Sequence, residues 1–200
     1  MKVKKTIITS LIGLSTLTPV KAQKTVNLVS EAGVTGVVNK EASFYGGINL
    51  ELPKGRNYTD FYAGVGVKPD KKASFQGLII NDFAWTKNIS SWAREFFSIS
   101  KGEAASVFEV APIRANANIG KFNFSLSPSY ALYNDFGTNK RLTTTHGISP
   151  ILQMTYSISP NHKIFAEAKY SSEPDKNLFN TSFGKFKNNI SYMISSLWKY

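Results

Sequence analysis

Almost everywhere along this chain, large or apolar side chains recur at every second position, and a period of two is the signature of strands with two unlike faces. The clearest stretch is FNFSLSPSYALY. Phe122, Phe124, Leu126, Pro128, Tyr130 and Leu132 share one face, against Asn123, Ser125, Ser127, Ser129, Ala131 and Tyr133 on the other. In HGISPILQMTYSIS, Ile148, Pro150, Leu152, Met154, Tyr156 and Ile158 oppose Gly147, Ser149, Gln153, Thr155 and Ser157. Phe44, Ile48, Leu50 and Leu52 do the same against Ser43, Tyr45, Asn49 and Glu51. Ten such segments follow one another: 25–38, 43–52, 57–67, 73–86, 92–100, 104–119, 122–133, 143–159, 163–172 and 186–200. The fifth, WAREFFSIS, is the least regular, with apolar residues on both faces. An eight-strand reading stays open if the middle of the chain is divided differently.

The connections alternate between tight (53–56, 120–121, 160–162) and long (134–142, 174–185), as in an up-and-down barrel with short turns at one end and longer loops at the other. The polar faces decide where the apolar face looks. Strand positions facing water usually carry many charged residues. In the four clearest strands here they carry Ser, Gly, Asn, Thr and Gln, with only Glu51 and Lys199 charged. Charges collect instead in the connections, at Lys54, Arg56, Lys87, Lys121 and Lys163. Tyr58, Trp85, Trp92, Tyr133, Tyr170 and Trp198 fall toward strand ends, where interfacial aromatic girdles belong. The expected fold is therefore all-β: a transmembrane antiparallel barrel of about ten strands, apolar outside and polar within. A soluble exported barrel binding a small apolar ligand would reverse the two faces.

The N-terminus reads as an export signal. MKVKK is cationic, Thr6 to Val20 is uncharged, and Val20-Lys21-Ala22 precedes Gln23 in the manner of a cleavage site. The uncharged run is shorter than a spanning helix and contains several hydroxyl residues and a proline. Cleavage near Ala22 leaves residues 23–200 as the barrel, and losing Lys2, Lys4, Lys5 and Lys21 lowers the formal net charge from +11 to +7. The chain has no cysteine, so no disulfide closes it.

The ending NISYMISSLWKY keeps the two-residue rhythm to the last residue, through Tyr192, Ile194, Trp198 and Tyr200, with Ser196 the weak position. Chain ends ordinarily fray. In a closed barrel the last strand must pair with the first, because an open edge in hydrocarbon leaves backbone groups unsatisfied. This tail resembles the C-terminal signature of bacterial outer-membrane β-barrel proteins, a terminal aromatic preceded by alternating apolar residues. The resemblance implies recognition by the barrel-insertion machinery and residence in the outer membrane, where an even number of strands leaves both termini in the periplasm.

Chemistry has few places to reside. His146, with Asp135 and Ser149 near it in sequence, could form a hydroxyl–imidazole–carboxylate set at the outer rim, as a lipid-processing enzyme would need. Against this, Ser149 has odd parity relative to His146, so alternation sends the two to opposite faces. His162 in a tight turn reads as solvated. No set of metal ligands is visible, and no cofactor is expected. Pro128 and Pro150 fall nearly opposite each other in one hairpin, where missing N–H donors could leave a lateral opening or mark curvature-tuning bulges. Glu31, Glu51, Asp60, Asp82, Glu167 and Lys169 share the polar parity and are expected to line the lumen, paired as a plug or lining a pore. Arg94, Glu95, Glu109 and Arg114 stand in segments whose parity the pattern leaves open.

Lys68, Lys71, Lys72, Lys140, Arg141, Lys185 and Lys187 could meet lipopolysaccharide phosphates at the rim. Nucleic acid is a poor partner, since no basic helix or stacking platform is present. The expected function is a narrow passive channel or a structural protein of the outer membrane, with the lipid-processing enzyme as the alternative.

Overall fold

A computed structural model describes residues 26–38, 42–54, 57–67, 73–100, 103–136, 143–171 and 189–200. The proposed signal, its cleavage site and the lysines of the longer loops lie outside the described residues. Ten strands appear: β1 (Asn27–Val37), β2 (Ser43–Lys54), β3 (Asn57–Val67), β4 (Ala73–Ala84), β5 (Ile89–Ser100), β6 (Glu103–Ile119), β7 (Phe122–Asp135), β8 (Thr143–Ser159), β9 (His162–Ser171) and β10 (Asn189–Lys199). Each pairs antiparallel with its sequence neighbours, and β1 pairs with β10, closing the barrel. Ten strands, not eight, settle the count, and their limits match the alternating segments to within a few residues.

Closure explains the orderly tail. Val29 to Val37 pair with Lys199 to Ser191, the Tyr200 amide donates to the Leu28 carbonyl at 3.0 Å, and the Tyr200 hydroxyl lies 3.1 Å from that of Ser30. Ile194, Trp198 and Tyr200 present their side chains outward. Ser196, the apparent gap in the rhythm, has its hydroxyl 2.9 Å from His162 Nε2. The His162 ring stacks on Trp198 with centroids 3.6 Å apart, so His162 packs on the outside of the barrel at its short-turn end and is not a merely solvated turn residue.

The outer surface carries Phe44, Ile48, Leu50, Phe61, Val65, Phe75, Leu126, Ile148, Leu152 and Ile194, all exposed. An apolar belt of this extent has no place in water and suits hydrocarbon. The soluble alternative, which needs the apolar face inside, is thereby excluded. Trp85 and Tyr170 extend the outward aromatics, but two residues expected in the girdle depart from it. Trp92 is only 4% exposed and sits in the lumen, and Tyr58 shares the inward parity, opposite Asp82 in register.

One irregularity positions much of the interior. Between Val110 and Ala115, β6 takes one residue more than its neighbours on either side, a bulge that contains Pro112. A bulge flips the alternation beyond it. Val107, Glu109 and Ala111 point inward before it, whereas Arg114 and Asn116 do so after it.

Candidate functional site

The lumen is divided. On the β5–β9 side its middle is filled by a charged network of side chains from alternate positions. The Arg94 guanidinium on β5 donates through Nε to Glu109 Oε2 at 2.8 Å, and through its two Nη atoms to both Glu167 oxygens at 2.9 Å. Lys169 Nζ donates to Glu109 Oε1 at 2.6 Å, as does the Ser129 hydroxyl, and Gln153 donates to Glu167 at 2.8 Å. Two cations thus balance two carboxylates, and Glu109 is completely buried. The bidentate Arg94–Glu167 pair joins β5 to β9, four strands apart in the barrel. Trp92 lies under the Arg94 guanidinium at 4.8 Å from its ring centroid, a cation–π contact.

Apolar side chains complete this half. Phe96, Ala105, Val107 and Ala131 form one buried cluster, and Trp92, Ala111 and Ile151 another. Nearer the short turns, Arg114 pairs with Asp82 and donates to the Ser90 hydroxyl at 2.8 Å, which also accepts from Asn116 at 3.0 Å. Charges, aromatics and small residues together pack this side of the barrel.

The β1–β3 side is built differently. Register places Ser195, Gly33, Tyr45 and Gly66 in one row across β10 to β3, then Glu31, Gly47 and Gly64, then Val29, Asn49 and Tyr62, then Asn27, Glu51 and Asp60. The glycines make room for the tyrosines. A Cβ on Gly33 would meet the Tyr45 hydroxyl, and one on Gly47 or Gly64 would meet the Tyr62 ring. The two tyrosine rings meet edge-on at 6.4 Å. Glu31 accepts from the Tyr45 hydroxyl at 3.0 Å and from Asn49 at 2.8 Å, and Glu51 accepts from Asn27 at 3.3 Å. Glu31, Glu51 and Asp60 are half-buried, and none forms an ion pair with a described residue.

The remaining residues singled out from sequence fall as follows. Register sets His146 opposite Leu132 and Asp135 opposite Thr143; the side chains of both lie outside the described part. Ser149 is buried inside, its carbonyl 3.0 Å from the Ser129 hydroxyl. Pro128 and Pro150 are direct partners, and β7 and β8 hold one register past them, so no bulge separates these two strands. A pair that lacks both N–H groups can only be a non-hydrogen-bonded pair, which turns the missing donors away, toward β6 and β9. On the β6 side the missing donor meets the Pro112 bulge, where the ladder is already interrupted.

Sequence reading missed Arg94 and Glu109 as members of the network. The signal was present in β5 and β6 as charges in strand centres, but apolar residues on both faces of β5 and the bulge in β6 hid which face they shared.

No protein-family model matches the chain, and no curated protein matches it in sequence. Among solved structures it is similar to a de novo designed transmembrane β-barrel, at 10% identity over 92% of this chain and 100% of that one, with a TM-score of 0.42. The NanC porin is similar at 10% identity over 86% of this chain and 100% of its own, with a TM-score of 0.46. The N-terminal barrel domain of Pseudomonas aeruginosa OprF is similar at 6% identity over 87% and 97%, with a TM-score of 0.39.

Proposed function

We propose that this chain is an integral outer-membrane barrel that works as a narrow passive channel. The observation that carries this reading is the division of the lumen. The β5–β9 half is stapled shut, while the β1–β3 half is lined by glycine and by half-buried carboxylates that keep contact with water. A purely structural barrel would gain from neutral packing on both sides, since unpaired carboxylates away from bulk water are costly. The alternating aromatic tail and the cationic N-terminus support export and insertion into the outer membrane, and the loop lysines support contact with lipopolysaccharide phosphates.

Single-channel recording in a planar bilayer tests the reading. The purified barrel should give small, discrete, voltage-independent steps, far below those of a barrel with an unobstructed lumen. A barrel that shows a boiling-dependent mobility shift on a gel, and so is folded, yet passes no current would make it a structural protein.

A further inference from the structure

We propose that the β1–β3 wall of the lumen is a binding site for an organic polyamine, held by Glu31, Glu51 and Asp60. The proposal takes the lumen to be open on this side, as in the channel reading. Among the described residues, the buried inward cations are already engaged, Arg94 and Lys169 by Glu109 and Glu167 and Arg114 by Asp82, while Lys163 and Lys199 share the inward parity but are exposed at the short-turn end. The three carboxylates of the opposite wall form no ion pair with a described residue.

A second observation points to a ligand independently of that charge. Buried polar atoms in folded proteins nearly always have a partner. Here three oxygens of the same wall do not: Asp60 Oδ1, Tyr62 Oη and Ser195 Oγ. Tyr62 is 7% exposed and Ser195 2%. Tyr62 lies directly across from Asn49, a donor to Glu31, and its hydroxyl reaches over Gly64, level with Glu31 in the row Glu31–Gly47–Gly64. Ser195 pairs with Gly33, beside the Tyr45 hydroxyl that donates to Glu31. Two of the orphaned oxygens, on Tyr62 and Ser195, therefore flank Glu31, and the third belongs to Asp60 itself.

The layout selects the ligand class. No three acidic or imidazole groups among the described residues converge on one metal ion. The Glu51–Asp60 pair is level with Asn27, four residues below Glu31 on β1, which is about 13 Å along a strand. A cation with ammonium groups strung along a flexible chain spans that distance, and its methylenes lie against the tyrosine rings. Oxygen acceptors without hydrogen-bond donors suit ammonium N–H groups.

The test titrates spermidine into the purified full-length protein by calorimetry at low ionic strength. The wild type should bind saturably. The variant E31Q/E51Q/D60N, whose amides keep the size of the acids, should bind at least tenfold more weakly. Asp60→Asn alone, at an oxygen with no bond to lose, should cost at least threefold and serves if the triple variant does not fold. Saturable binding unchanged within twofold in these variants, or no saturable binding by the wild type, overturns the proposal. Reversal potentials across a salt gradient separate this from the channel reading. Current without spermidine binding removes the site and leaves the channel, whereas binding without current leaves the site and removes the channel.

Discussion

At the scale of the residue, Glu95 is a strand-centre acid that the packing does not use. It is on the outward face of β5, opposite Ile79 and Phe108, and its Oε2 is buried without a hydrogen-bond partner. A carboxyl group set among apolar side chains on the lipid face is costly, though less so than a basic group. Replacing Glu95 with leucine should stabilise the barrel by about 1–2 kcal/mol, read as a shift in the urea midpoint of the protein in phospholipid vesicles. Its neighbour Arg94, one position along and on the other face, should behave in the opposite way. Arg94→Met leaves Glu109 and Glu167 short of their shared partner and should cost about 3–5 kcal/mol in the same assay. Nothing in the string WAREFF distinguishes these two charges, because Trp92 and Phe96 put apolar bulk on the lumen side and blur the alternation that separates faces elsewhere.

Among the elements, legibility follows regularity. β2, β7 and β8 have an uninterrupted rhythm, and their faces could be assigned from sequence residue by residue. β6 could not, since the extra residue near Pro112 exchanges its faces midway and only pairing with both neighbours reveals it. β10 shows the converse. Its rhythm lapses at Ser196, yet the strand continues because His162 from β9 covers the gap from across the ladder. A double-mutant cycle on His162→Ala and Trp198→Ala should return a coupling of about 0.5–1.5 kcal/mol, the range for stacked aromatic pairs. Additive losses would show that the stacked rings do not stabilise the β9–β10 pair. Across β1 to β3, the inward glycines give the tyrosines their places. Gly64→Ala, whose methyl would run into Tyr62 and the Gly46 carbonyl, should destabilise by about 1–3 kcal/mol. The same change paired with Tyr62→Leu should recover only part of the loss, because the backbone contact remains.

For the whole molecule, the sequence carried the architecture but not the asymmetry of its interior. Alternation reports which residues face inward; it is silent on which inward residues meet across several strands. Glu167 and Lys169 were legible as inward charges, while their partners Arg94 and Glu109 became visible only once β5, β6 and β9 were closed around one space. If the network fills that space, shortening it should widen the passage. Arg94→Ala in a barrel that still folds should raise single-channel conductance severalfold, and an unchanged conductance would mean that ions never passed near it.

The Arg94–Glu167 bond has a mechanical consequence as well. A barrel held only by its ladders is a hoop, which lateral pressure in a bilayer can flatten. A rigid, doubly bonded link between β5 and β9 is a spoke across part of that hoop, and it resists flattening on its own side. Among the described residues, the glycine-lined wall opposite has no such brace. Changes in the width of the lumen will be taken up there, by β1, β2 and β3, so the stiff half of the molecule sets its shape and the compliant half sets its bore.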